Sequence, residues 1–423
     1  MSRPQHGDTF KIVYVFDPAS VCSHHVRTTD GQYFEWLFSM LEGTGATFLY
    51  RVNLSGRAFY RSERMAPFDH ATVDRSNPKA QYWHGIADML DACDPLAEAV
   101  GAARRHGVPI WAWWNWNEWQ NVRVKYLDLV DREWYDRPRR YWCTRDGSRF
   151  YCGVPDWGSP AVQERLLALA GETLSYGVDG LYLSTRSHSW WACWPTEGWD
   201  AHLEPFGFND SVVEAYRQRH GVDIRYEDYD EDEWLRIKGE QFSTLLAQTG
   251  ALVHATDRRF IVGIEPDRHS LMVDYERPDV MHPAGPHLHL YKDWERWVAE
   301  GSVDGICAEE GCHQKLKIEG GDIKPFQETL PGDFPLYTWT DTSAYHERGG
   351  GPFSMINWDR VSVEQMLEQI ELARRCGAAG ILLHSIEMFT GWDSGGKSIG
   401  GYGVLPRIEY FDALRTLHAA SES

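Results

Sequence analysis

The chain of 423 residues is 43% hydrophobic and 25% charged, enough material for a large core and the composition of a globular protein. Its formal charge of −20 repels a nucleic-acid backbone or an anionic membrane face on average, which leaves neutral partners or a locally basic pocket. The opening residues Met1 to Asp8 hold no apolar signal-peptide core, and no later window approaches the ~18 uninterrupted apolar residues of a membrane span. The expectation is a cytoplasmic protein with neither nucleic-acid nor membrane partners, homo-oligomerisation being left open.

Along the chain, short β-rich runs alternate with helical patterns. The runs are Lys11 to Phe16, Ala46 to Val52, Pro109 to Trp114, Gly180 to Ser184, Arg259 to Ile264, Gly305 to Ala308, Pro335 to Trp339 and Ala379 to Leu383. Between them the pattern predicts helices over Gln32 to Leu41, Pro95 to His106, Ala161 to Tyr176, Glu233 to His254, Lys292 to Glu300, Val363 to Arg375 and Arg407 to His418. A repeated idiom joins a helix to the next strand at four places: His106-Gly-Val-Pro, Tyr176-Gly-Val-Asp-Gly, Glu300-Gly-Ser-Val-Asp-Gly and Cys376-Gly-Ala-Ala-Gly. Glycine there supplies the left-handed residue that stops a helix. The expected fold is α/β, a closed (β/α)8 TIM barrel in one domain over residues 1–423, with long βα loops after its third and fourth strands, Trp116 to Ser159 and Thr185 to Asp232. Asp179 and Asp304 fall at strand starts and read as structural turn residues, since barrel chemistry occurs at the opposite end.

Strand alternation then nominates the chemistry. Matching the two Val-Asp-Gly starts sets Ser184 beside Glu309 at the inward tops of the fourth and sixth strands, and the fifth strand brings Glu265 to the same rim. Tyr337, Trp339 and Asp341 share a face in the seventh, and Glu387 follows the eighth. Asp17 ends the first strand and Glu118 follows the third, both placed at the rim as substrate contacts. Converging carboxylates suit glycoside hydrolysis, in which one protonates the leaving oxygen and another attacks the anomeric carbon or activates water. Glu265 and Glu309 are the first choice for that pair, with roles unassigned, and Glu310, Asp341 and Glu387 stand in reserve. The competing reading is that strand-end carboxylates cap helices or bind loop arginines.

Twenty tryptophans and their grouping beside polar residues add a stacking surface for sugars, because an indole offers a flat apolar face and an N–H at its edge. Trp113, Trp116, Trp190, Trp191, Trp339 and Trp392 are the candidate walls. In Ser184-Thr-Arg-Ser-His-Ser-Trp-Trp, Arg186 and His188 could hold a hydroxyl, carboxylate or sulfate of the substrate, or Arg186 could simply neutralise nearby acids. His24, His25, His282, His287 and His289 lack an identifiable third ligand and read as loop residues, so no metal or cofactor is expected. The eight cysteines have no CxxC pairing and read as reduced core residues, and the Gly349 and Gly395 stretches lack the Lys-Ser/Thr of a phosphate loop.

Three strings carry a resemblance: Tyr176-Gly-Val-Asp-Gly-Leu-Tyr-Leu, then Phe206-Gly-Phe-Asn-Asp running to Arg219-His-Gly-Val-Asp, then Trp234-Leu-Arg-Ile-Lys-Gly-Glu. Over residues 11 to 270 the chain resembles the glycosyl-hydrolase-like family 10 proteins and related bacterial barrel glycosidases. The resemblance implies a (β/α)8 barrel acting on carbohydrate. Such relatives commonly carry Asp where this chain has Ser184, so no catalytic assignment is transferred.

The expected function is a glycoside hydrolase acting on an oligosaccharide or polysaccharide fragment. Its rivals are a non-catalytic carbohydrate-binding barrel, which Ser184 favours, and a metal-dependent barrel hydrolase or isomerase built on His24, His25, His287 or His289.

Overall fold

The computed structural model describes residues 10–18, 32–54, 56–69, 81–117, 137–185, 193–194, 205–269, 289–309, 323–341, 343–344, 359–360, 362–384 and 408–422. Its centre is a closed barrel of eight parallel strands, each hydrogen-bonded to its neighbours in chain order. These are β1 (Lys11–Phe16), β2 (Thr47–Arg51), β3 (Ile110–Asn115), β4 (Gly180–Ser184), β5 (Arg259–Ile264), β6 (Gly305–Ala308), β7 (Leu336–Asp341) and β8 (Gly380–His384). Each lies within two residues of its predicted run.

Alternation splits every strand between two cores. Val13, Val15, Leu49, Trp111, Trp113, Tyr182, Ile261, Cys307, Tyr337, Trp339 and Leu382 point inward and fill the barrel. Their neighbours, among them Tyr14, Phe16, Phe48, Trp114, Leu181, Val262 and Ile381, point outward into the larger core beneath the helices. The predicted helices form as α1 (Gln32–Leu41), α3 (Pro95–Arg105), α4 (Pro160–Ser175), α6 (Glu231–His254), α7 (Trp294–Ala299), α9 (Val363–Arg375) and α10 (Ile408–Glu422). Two more, α2 (Gln81–Ala92) and the single turn α8 (Lys324–Gln327), were not expected, and α5 (Asp210–His220) forms within the long segment that follows β4. Local caps fix the starts: Ser362 and Gln365 make a reciprocal capping box, and Asp230 accepts the Glu233 N–H. Gly107, Gly177, Gly301 and Gly377 all take positive φ, so the helix-stopping idiom is conformationally real.

Asp179 and Asp304 sit at the bottom of the barrel. Each carboxylate accepts a backbone N–H of the preceding strand, Asp179 from Ile110 at 2.8 Å and Asp304 from Phe260 at 2.8 Å. The repeated Val-Asp-Gly therefore stitches adjacent strand starts together.

The stretch between β3 and α4 holds more than loop. Tyr141–Cys143 and Phe150–Pro155 form an antiparallel hairpin, and Cys193–Trp194, from the segment after β4, adds a third strand. The other two strings of the sequence resemblance meet here. Trp234 donates from Nε1 to the Gly207 carbonyl at 3.1 Å, and Lys238 from Nζ to the Phe206 carbonyl at 3.1 Å. The ammonium lies 3.4 Å from the centre of the Trp234 ring. Gly207 is at φ 112°, and a Cβ there would collide with the Lys238 side chain, so both its conformation and its close approach require glycine. These motifs fasten the returning end of the β4 loop to α6.

Candidate functional site at the barrel mouth

Going round the C-terminal rim, the inward side chains are Asp17 after β1, Arg51 of β2, Trp113 and Asn115 of β3, Ser184 of β4, Glu265 after β5, Glu309 after β6, Trp339 of β7 and His384 of β8. Glu309 is the central group. It is 2% exposed, and its N–H donates to the Ile264 carbonyl at 2.9 Å, which pins the end of β6 to β5. Its side chain leans across β5. The Tyr182 hydroxyl donates to Oε1, and the Ser184 hydroxyl donates to Oε2 at 2.8 Å.

That lean is possible because β5 carries Gly263 at the crossing point. A Cβ on Gly263 would overlap both the Tyr182 hydroxyl and the Glu309 carboxylate. Burial, followed by the negative environment of Cys307 and Glu309, pushes the Tyr182 phenol well above its ordinary range. Tyr182 therefore remains a hydrogen-bond donor at any working pH.

Glu265 lies one inward rung above Gly263, a rise of roughly 6.6 Å for two strand residues. It is half-buried, and its backbone carbonyl accepts Lys292 Nζ at 2.9 Å. Lys292 is 1% exposed. Burial lowers its ammonium from 10.5 to about 8, with the charges of Glu265 and Asp267 acting in the opposite direction. In the unfolded chain the same lysine keeps its ordinary value, so between pH 8 and 10 the unfolded state holds more protons and stability due to this group rises with pH. Lys292→Met removes that dependence. The stability of the variant relative to the parent should fall by roughly 3 kcal/mol from pH 8 to 10.5, read from denaturant midpoints, and a constant difference would refute the assignment.

Opposite Glu309, Arg51 and Asp17 form a buried ion pair, with the guanidinium carbon 4.7 Å from the centre of the Trp113 ring. Arg51 Nε also donates to the Asn53 carbonyl at 3.1 Å, so the cation is held in place. Trp113 meets Trp339 edge to face at 5.3 Å, and Trp339 lies 5.2 Å from the His384 ring and 6.1 Å from the Tyr182 ring. The mouth thus has an aromatic floor, one deeply buried carboxylate, a second at the rim, and a neutralised Arg–Asp pair across from them.

Of the residues nominated from sequence, Asp17, Trp113, Glu265, Glu309 and Trp339 come together here. Trp116 does not. It follows the outward alternation of Trp114 and packs in the outer core, 6.0 Å from Phe242, where no substrate could stack on it. Asp341 ends β7, with its side chain outside the described residues, as are the whole of Glu118, Arg186, His188, Trp190, Trp191, Glu310, Glu387 and Trp392. His24, His25, His282 and His287 likewise lie outside. Among the described residues no group of three His, Cys, Asp or Glu side chains is placed to hold a metal, and no helix is long and apolar enough to cross a membrane. Reading the sequence missed Tyr182, Arg51, Asn115 and Lys292. The same alternation that placed Ser184 places Tyr182 two residues earlier, so that signal was present.

The fold defines the class: a (β/α)8 barrel with its polar constellation at the C-terminal face. It is similar to the catalytic domain of beta-amylase from Paenibacillus polymyxa, with 11% identity over 98% of this chain and 99% of that one, at a TM-score of 0.52. It is also similar to beta-galactosidase from the psychrophilic Marinomonas ef1, with 10% identity over 98% of this chain and 60% of that one, at a TM-score of 0.50. At such identities the likeness establishes the TIM-barrel fold. No protein-family model and no curated protein matches the chain, so the likeness to glycosyl-hydrolase-like family 10 rests on the three motifs.

Proposed function

We propose that the protein is a glycoside hydrolase that cleaves an oligosaccharide or polysaccharide fragment, using Glu309 and Glu265 as its carboxylate pair. The observation that carries this reading is Glu309 itself: a carboxylate buried in the floor of a barrel mouth, each oxygen facing a hydroxyl donor, beside the Trp113 and Trp339 rings. The two hydroxyls complement the anionic form as donors, which suits the group that attacks or stabilises the anomeric carbon. Glu265, half-buried on the next rung above Gly263, is placed at the rim to serve as the group that protonates the leaving oxygen. The barrel likeness to two carbohydrate-active enzymes supports the substrate class.

The test is a screen of the whole chain against 4-nitrophenyl glycosides and plant and marine oligosaccharides, scored by continuous release of sugar. Multiple turnovers on one of them support the reading. Tight binding with no release instead identifies a carbohydrate-binding barrel, and activity lost on chelation and restored by a metal ion points to the metal-dependent alternative.

A further inference from the structure

The barrel mouth holds three buried N–H donors that meet no acceptor among the described residues: Nδ2 of Asn115 and the indole Nε1 atoms of Trp113 and Trp339. All three residues lie on inward faces of β3 and β7, and none is more than 6% exposed. Buried donors are satisfied in nearly all folded proteins, so three on neighbouring rungs at one end of the barrel mark a place where an external acceptor completes the structure.

Asn115 is the most constrained of them. Its Oδ1 accepts the Asn117 N–H at 3.0 Å, which fixes the amide orientation and turns Nδ2 the other way. Its backbone cannot swivel either. The Asn115 N–H donates to Asn53 Oδ1 at 2.9 Å, and its carbonyl accepts Asn53 Nδ2 at 2.9 Å. On the other side Asn115 pairs in register with Ser184, the residue whose hydroxyl holds Glu309 Oε2. A preset donor therefore stands one strand away from the anchor of the carboxylate.

We propose that Asn115 is a specificity-determining residue: its Nδ2 donates to the hydroxyl on the carbon next to the one Glu309 serves, and Trp113 and Trp339 donate to other oxygens of the same sugar ring. The inference rests on the hydrolase reading and adds a substrate class, sugars with a free hydroxyl beside the anomeric carbon. A 2-deoxy sugar leaves Nδ2 without its acceptor, and a 2-amino sugar presents only donors there in its charged form. Hydrogen bonds at this hydroxyl strengthen as the oxocarbenium-like transition state forms, so the contact should influence kcat.

The test compares the parent with Asn115→Asp, which keeps the acceptor for the Asn117 N–H and removes the donor, and with the uncharged, similarly shaped Asn115→Leu. Each is assayed on the 4-nitrophenyl glycoside the parent turns over best and on its 2-deoxy counterpart. Both variants should lose about 100-fold in kcat/KM on the hydroxylated substrate and no more than a few-fold on the 2-deoxy one. Equal losses on the two substrates overturn the proposal while leaving the hydrolase reading intact. Calorimetric titration of the parent with glucose, galactose, mannose, fucose and xylose, and with the 2-deoxy form of whichever binds best, needs no variant. At least tenfold weaker binding of the deoxy sugar supports Asn115 as the reader even if nothing is hydrolysed, which would sink only the hydrolase reading. Equal affinity, or binding of none of the five sugars, overturns the proposal.

Discussion

Glu309→Gln should lower kcat on the accepted glycoside by at least 1,000-fold, with a much smaller change in KM and a thermal midpoint within a few degrees of the parent. Gln is nearly isosteric, so Oε1 can still accept from the Tyr182 hydroxyl, while the new Nε2 can donate to the Ser184 oxygen. What disappears is the negative charge, and a group that carries the reaction shows its loss in kcat. Glu265→Gln supplies the contrast. A proton donor matters in proportion to how much help the leaving group needs, so this variant should be badly impaired on an alkyl or sugar leaving group and only mildly on 2,4-dinitrophenol. Parent-like turnover of the natural type of linkage by both variants would remove Glu309 and Glu265 from the reaction.

Much of this constellation is legible in the sequence. A period of two along short strands is a geometric property of the backbone, so matching the two Val-Asp-Gly starts was enough to set Ser184 and Glu309 on the inward face, and the same rule put Glu265 and Trp339 at the mouth. The rule also contained the answer for Trp116, whose parity is that of outward-facing Trp114; counting tryptophans as a cluster hid it. The lean of Glu309 over Gly263 was not legible, because it depends on side-chain torsions and on a gap two strands wide. Nor was Lys292 legible. A lone lysine at the edge of an amphipathic helix normally lies in water, and only the return of the chain before α7 folds this one beneath Glu265. The hairpin over Tyr141–Pro155 was missed because, among the described residues, its strands pair with each other and with two residues from a distant segment.

Gly263→Ala tests the geometry by which Glu309 is held. The position has an ordinary strand conformation, so alanine meets no backbone penalty, and the atoms nearest the added methyl belong to the Tyr182 hydroxyl and the Glu309 carboxylate. The protein should fold. The carboxylate must retreat toward β6, and misplacing a reacting group by about an ångström costs on the order of 100-fold in rate. A loss of that size alone would not show that the methyl acts through Glu309, since it could disturb the mouth in other ways. The double variant separates the two cases. If Gly263→Ala works by displacing the carboxylate, adding it to Glu309→Gln should cost almost nothing further, because the group it displaces no longer performs its task. A further 100-fold loss in the double variant, measured on the same substrate, would mean that the methyl damages something other than Glu309, and the tie between the small residue on β5 and the acid on β6 would be broken.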